Sequence, residues 1–282
     1  MGFKHYLSTM RPFNSLMSGV GVIFTALLCS KYTVTGIDNV LLLLLGFYTG
    51  FAVTGASMAI NDIVDEEVDR INKPWKPLPM GYVNRKFLIT TSIAMVVLAL
   101  LLNALVDIKL LAITLVYTVI GISYSMLRKY WWSQLLVALS TTGPIIYGYV
   151  LFIAKDVLAL VAMFSTTIFL VTLAREILKA IQDLEGDKLC GYKTIPIKIG
   201  VRKAKHLMII VAVMGVAMGI ITGVIATTNI LYMVLIVISG SFYLHNMIRA
   251  HRNTSREILE TTRRNTLISM MMGLVAFWLS RV

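Results

Sequence analysis

Nine long apolar runs decide what this chain can fold into. They fall at roughly 12–31, 40–60, 87–106, 109–127, 132–153, 157–181, 206–227, 230–248 and 265–281. Each approaches the length of about 20 residues that a helix needs to cross the hydrocarbon of a bilayer. A backbone in lipid must satisfy its own N–H and C=O groups, so only helices or closed barrels cross it. The runs are continuous rather than alternating, which argues against a barrel. The sequence therefore predicts an all-α polytopic membrane protein with nine spans. Only 14% of the 282 residues are charged, against roughly a quarter in a soluble domain. That shortfall excludes a disordered chain, a secreted disulfide scaffold and a cytosolic enzyme. Cys29 and Cys190 offer neither metal-ligand spacing nor a disulfide framework. The start, MGFKHYLSTMRPF, does not read as a cleavable signal, so the first span is expected to be retained.

The placement of charge sets the orientation. Of 26 Lys and Arg, 22 lie on one side of the predicted spans; Lys31, Lys109, Lys155 and Arg281 lie on the other. The positive-inside rule then places the N-terminus and the long loops 61–86, 182–205 and 249–264 in the cytoplasm of a cell-membrane protein, with the C-terminus outside. Read this way, the net charge of +12 reports topology. No nucleic-acid partner and no obligatory protein partner are expected. The basic tail loop (Arg249, Arg252, Arg256, Arg263, Arg264) is read chiefly as a contact with anionic lipid.

Acidic residues run against this pattern. Eleven of the fourteen share the basic side, and nine of those fall in two stretches: Asp62, Asp65, Glu66, Glu67 and Asp69, then Glu176, Asp183, Glu185 and Asp187. Asp62, Asp65 and Asp69 are spaced i, i+3 and i+7, with Asn61 one turn before Asp65; Asp183 and Asp187 are i and i+4. On a helix each set shares a face. Like charges on one face repel, and more so at a partly buried site. Two such faces call for a cation between them. Oxygen donors without His or Cys suit a hard ion, which points to Mg²⁺.

The two stretches also resemble each other. Each has an Asp cluster, then a Pro, a short apolar stretch and a basic pair. They lie 121 residues and four predicted spans apart. This is the pattern of a parallel duplication. One transmembrane domain, 1–282, is expected, with pseudo-repeats of about 1–130 and 131–250 and a ninth helix at 265–281. Basic residues surround the acids: Arg70, Lys73 and Lys76 near the first cluster, Arg175, Lys179 and Lys188 near the second, with Tyr124 and Arg128 one turn apart. Carboxylates for Mg²⁺ among Arg and Lys for phosphate oxygens describe a diphosphate site. At the mouth of an apolar bundle, the diphosphate of choice carries a polyisoprenyl tail.

At these residues the chain resembles the UbiA-type intramembrane prenyltransferases. The signature N-D-x-x-D-x-x-x-D-R-x-N stands as Asn61, Asp62, Asp65, Asp69, Arg70 and Asn72, followed by K-P-W-K-P-L-P. The second stands as Asp183, Gly186 and Asp187, continuing through Gly191, Lys193 and Thr194. Tyr124 to Arg128 and Arg11-Pro12-Phe13-Asn14 resemble two further family elements. The resemblance implies nine helices around a central cavity under an Asp-rich cytoplasmic cap. It implies Mg²⁺ held by Asn61, Asp62, Asp65, Asp69, Asp183 and Asp187, the five aspartates being the catalytic set. Arg70, Lys73, Lys76, Tyr124, Arg128, Lys179 and Lys188 would bind the substrate, with Arg11 and Asn14 on the acceptor side.

The stretch from Arg175 to Lys188 is similar to that of the archaeal geranylgeranylglyceryl phosphate geranylgeranyltransferases, departing from it at Ala180 and Gln182. This similarity implies a prenyl diphosphate donor, a lipid-phosphate acceptor and formation of the second ether bond of archaeal lipids. Transfer to an aromatic or quinone precursor is the alternative within the family. A transporter is a distant alternative, disfavoured because the spans carry almost no ionisable groups. A CDP-alcohol phosphotransferase is excluded by the absence of its D-G-x₂-A-R motif.

Overall fold

A computed structural model describes residues 3–227 and 229–281, and these are almost entirely helical. Short α1 (Phe3–Thr9) precedes α2 (Pro12–Cys29). Then follow α3 (Ile37–Val64), the short α4 (Glu66–Asn72), α5 (Arg85–Val106) and α6 (Ile108–Leu127). The second half begins with α7 (Ser133–Ser140) and α8 (Gly143–Leu151), then α9 (Leu158–Gln182), and continues through two short helices, α10 (Leu184–Leu189) and α11 (Ile195–Ile199). It closes with α12 (Val201–Thr222), α13 (Ile230–Arg252) and α14 (Arg256–Trp278). Asn84, Asp107 and Asn229 start α5, α6 and α13 by accepting backbone N–H groups of the first turn, the usual way a helix end satisfies its orphan donors.

Eight of the described segments are long and apolar enough to cross a membrane: α2, α3, α5, α6, the α7–α8 pair, α9 with the turn before it, α12 with the turn after it, and α13. The α7–α8 pair is bent at Thr141-Thr142, immediately before Gly143-Pro144, where proline cannot donate into the helical ladder. The basic segment expected as a loop at 249–264 is mostly helical. Only Asn253–Ser255 interrupt it, because charged side chains at the rim of a bundle reach water without breaking the backbone ladder. The helix α14 therefore begins at Arg256 rather than near 265. Its first turn touches Asn72, through Arg256 Nη2 on the Asn72 carbonyl at 2.7 Å. At its far end the Trp278 carbonyl accepts from Tyr32, and Arg281 pairs with Asp156 at 2.8 Å.

Packing rests on small residues and a few polar bridges. A Cβ at Gly148 would stand 2.5 Å from the Val22 carbonyl, so only glycine allows α8 this close to α2. Tyr147 donates to Asn103 Oδ1 at 2.6 Å and Asn103 Nδ2 donates to Thr49 at 2.9 Å, which ties α8, α5 and α3 together in the interior. Large apolar side chains such as Leu101, Leu105, Val116 and Val119 stay exposed on α5 and α6, as expected of a surface that faces lipid.

Candidate active site

The two acidic stretches meet at one end of the bundle, built by the same local device. The backbone of α3 leaves helical geometry at Asp65 (φ −85°, ψ 3°) and that of α9 leaves it at Asp183 (φ −91°, ψ 7°). A short helix follows each break, α4 and α10, and the two pack against one another. Asn72 of α4 joins them. Its Nδ2 donates to the Asp183 carbonyl and its Oδ1 accepts from the Gly186 N–H, both at 3.0 Å. A Cβ at Gly186 would lie 2.5 Å from the Asn72 amide, so this bridge requires glycine. The expected single helical face through Asp62, Asp65 and Asp69 is thus interrupted at Asp65, yet Asp65 and Asp69 still line one polar cavity.

That cavity has an empty volume of about 640 Å³ including its open part. Asn61, Asp65, Asp69, Asp183 and Asp187 stand in its wall with Lys73, Lys76, Tyr124, Arg128 and Lys179. Arg128 pairs with Asp65 through Nη1 and lies 3.6 Å from Asp183 and 3.5 Å from Asp187 through Nη2. Lys73 reaches Asp183 at 2.7 Å across the two halves. Lys76 holds Asp69 and also Asp62, at 2.9 Å from the latter. Asp62, expected among the metal-holding carboxylates, is not part of the cavity wall. Its Oδ1 accepts from both Arg11 (3.1 Å) and Lys76. Arg11 itself has a left-handed backbone (φ 46°), in keeping with the proline that follows it, which disfavours the right-handed helical region.

Arg70 and Lys188 are not brought into the cavity. Both are exposed, and Arg70 pairs with Glu66 at 2.9 Å. Several residues that were given no metal or substrate role also line it: Ser133, Gln134, Glu176, Thr194 and Arg263. The sequence favours a lipid contact for Arg263 over a place at the acceptor phosphate; α14 carries it inward, where Nη1 donates to Gln182 at 3.0 Å. Its only sequence signal was a basic residue on the cytoplasmic side, which topology alone explains.

Burial and pairing pull the ionisable groups in different directions. Burial opposes the charge on Asp183, but Lys73 and Arg128 outweigh it and hold the carboxyl below its usual range. Burial likewise disfavours charge on Lys73 and prevails, pushing its ammonium down despite Asp183. Asp187 goes the other way, pushed up to about 7 by burial and the nearby Asp183 and Asp65 charges against the pull of Arg128. Burial also raises Asp69. Among the described residues, no group of three or more His, Cys, Asp or Glu is arranged to hold a metal ion by itself. The donors do fit a shared ion. Asn61 Oδ1, Asp65 Oδ1, Asp183 Oδ1 and both Asp187 carboxylate oxygens are buried without a hydrogen-bond partner. Mg²⁺ is commonly held by one or two carboxylates plus substrate phosphates and water rather than by an all-protein cage.

Below the polar cavity lies an apolar chamber of about 1490 Å³ empty volume, including its open part. Arg11, Asn61, Tyr124, Glu176 and Lys179 line both and form the neck between them. Asn14 lines the chamber beside Arg11, and Phe164, Ile145 and Leu274 line it deeper in the bundle. A third cavity of about 680 Å³ adjoins the chamber and shares Ser18, Thr54, Pro144 and others with it.

Known proteins share this fold. The model of the UbiA prenyltransferase family matches residues 22–278. A digeranylgeranylglyceryl phosphate synthase from Methanosphaera stadtmanae is 28% identical over 275 residues, 96% of this chain and 97% of the relative. One from Saccharolobus solfataricus is 29% identical over 282 residues, 99% of this chain and 97% of the relative. A solved structure described as a digeranylgeranylglyceryl phosphate synthase superposes with a TM-score of 0.73 at 27% identity, covering 99% of this chain and 98% of that one. A UbiA homologue from Archaeoglobus fulgidus, bound to GPP and Mg²⁺, superposes with a TM-score of 0.69 at 20% identity, over 97% and 99% of the two chains. The chain belongs to the UbiA prenyltransferase family.

Proposed function

We propose that the protein transfers a geranylgeranyl group from geranylgeranyl diphosphate to the sn-2 hydroxyl of geranylgeranylglyceryl phosphate, forming the second ether bond of an archaeal lipid. One observation carries this reading: aspartates from α3–α4 and α9–α10 share a polar cavity that opens through a neck into an apolar chamber. The near full-length similarity to digeranylgeranylglyceryl phosphate synthases supports the acceptor. Asn61, Asp65 and Asp69 on one side and Asp183 and Asp187 on the other would hold Mg²⁺, with Asp62 bracing Arg11 and Lys76. Bound Mg²⁺ supplies Lewis-acid stabilisation of the negative charge on the departing diphosphate.

The residues of the chain do the rest. Lys73, Lys76 and Arg128 turn from their aspartates toward the diphosphate oxygens as its bond to the allylic carbon lengthens. Tyr124 and Lys179 stand at the neck, where that carbon lies. The chamber below excludes water from the allylic cation. The acceptor hydroxyl attacks it and loses its proton to a carboxylate or to the departing diphosphate; Glu176 is the carboxylate at the neck.

In this reading α4 and α10 form an Asp-rich cytoplasmic cap, and α14 is a ninth span. The matched breaks at Asp65 and Asp183 support a duplication of a four-span unit within one domain. The test is product analysis with purified protein, Mg²⁺, geranylgeranyl diphosphate and a panel of lipid-phosphate and quinone-precursor acceptors. Asp65→Asn and Asp183→Asn are expected to lower turnover by roughly 10²–10³-fold while the protein stays monodisperse. Wild-type rates in either variant at fixed Mg²⁺ contradict the assignment.

A further inference from the structure

The neck holds more positive charge than its carboxylates balance. On α9, Arg175, Lys179 and Gln182 are spaced i, i+4 and i+7 and share one helical face. Arg175 lines the apolar chamber, Lys179 lines both cavities, and Arg263 from α14 lines the polar one. Arg263 donates to the neutral amide of Gln182 at 3.0 Å, and no carboxylate among the described residues is within ion-pair distance of it. Arg175 is only 8% exposed, and the Nε atoms of Arg175 and Arg263 are both buried without a hydrogen-bond partner. One carboxylate serves the group. Glu176 accepts from Lys179 on both oxygens, at 2.8 and 2.6 Å, and lies 3.8 Å from Arg175. With all three protonated, three cations less one carboxylate would leave a charge of +2. A phosphomonoester carries about −1.5 to −2 at neutral pH.

We propose that Arg175, Lys179 and Arg263 form a second anion site, distinct from the aspartate-lined diphosphate site, that takes the phosphomonoester headgroup of a lipid. Lys73, Lys76 and Arg128 are each held on the aspartates, whereas these three follow the neck from chamber to cavity. An anion here keeps its tail in the chamber and its glycerol beside the diphosphate site. Guanidinium groups suit the task because their fixed donors match phosphate oxygens in pairs. The identification of this lipid as the acceptor rests on the function proposed above; the chemistry of the site does not.

Two measurements separate these statements. In steady state, geranylgeranylglyceryl phosphate is compared with its dephosphorylated alcohol. Arg263→Gln and Arg175→Gln are expected to raise KM for the phosphorylated acceptor roughly ten- to hundredfold, with KM for geranylgeranyl diphosphate little moved. The preference over the alcohol should collapse, and Arg263→Lys should restore part of it. Equal losses on both acceptors, or no wild-type preference, overturn the site. Separately, purified wild type and both variants are titrated with dodecyl phosphate, dodecanol and inorganic phosphate without Mg²⁺. The proposal expects dodecyl phosphate to bind best and the variants to bind it at least about tenfold more weakly. Equal binding of inorganic and dodecyl phosphate overturns a lipid headgroup as the ligand. Equal binding of dodecyl phosphate by wild type and variants overturns the site itself. A protein that passes this titration yet prenylates neither glycerol acceptor keeps the anion site and loses the proposed reaction.

Discussion

Asn72 and Gly186 show how little separates an assembled site from two loose turns. The asparagine side chain fills the space a β-carbon would need, donating to one backbone group and accepting from another across the junction of α4 and α10. Gly186→Ala is expected to force these helices apart, at a cost of about 1–3 kcal/mol typical of overpacking. It should lower the thermal midpoint in detergent and also lose the midpoint rise that Mg²⁺ with geranylgeranyl diphosphate gives the parent protein. A variant stabilised by the pair as strongly as the parent contradicts the bridge. At this scale the sequence exposed the aspartates, because repeated carboxylates on one helical face have no cheap structural explanation. It placed Glu176 and Arg175 beside the second cluster and Arg263 in the basic tail, without showing that they line adjoining cavities. A Glu three residues before a Lys is an ordinary helix pair, and a cytoplasmic arginine is an ordinary topology signal, so nothing local marks either as lining a cavity.

Among the elements, α3, α9 and α14 depart most from the apolar runs that announce them. In α3 and α9 the helix continues past the hydrophobic stretch and then breaks at a single aspartate, a backbone event that residue spacing does not encode. In α14 the polar first turns lie beyond any hydropathy signal, yet Leu259 packs in the core and Thr262 and Arg263 bond to α13 and α9. The interior polar bridge of Thr49, Asn103 and Tyr147 was equally silent, since one Asn in an apolar run gives no indication of its partner. Asn103→Leu removes its side-chain bonds to Thr49 and Tyr147 on the neighbouring helices. The expected loss is about 0.5–2 kcal/mol, the range for hydrogen bonds between membrane helices, read from reversible unfolding in mixed micelles. Activity at low temperature should persist, because the bridge lies outside the polar cavity and the neck.

For the whole molecule, the proposed ninth crossing by α14 would place the two termini on opposite faces, and the positive-inside rule would put the acidic cavity on the cytoplasmic one. The native cysteines offer a direct check. Cys29 is buried and Cys190, just after α10, is partly exposed. A membrane-impermeant maleimide should label Cys190 in inside-out vesicles and leave right-side-out vesicles unlabelled until they are permeabilised. The reverse pattern would turn the protein over in the membrane. The helical membrane fold could be anticipated because bilayer thickness acts on composition; the contacts that join the two halves could not, because they depend on packing between distant helices.

The pairing of Asp62, Asp65, Asp69, Asp183 and Asp187 with Arg11, Lys73, Lys76 and Arg128 leaves the resting pocket nearly neutral. A bare divalent ion finds unpartnered oxygens but also the ammonium and guanidinium groups beside them, which repel it, and a bare polyanion must displace carboxylates. Arriving together, each offers the other's displaced groups a new companion. Calorimetry should accordingly find feeble association for Mg²⁺ or pyrophosphate alone and strong synergy for the couple. Such a gate would discriminate by demanding simultaneity, admitting magnesium only when the right lipid is at hand.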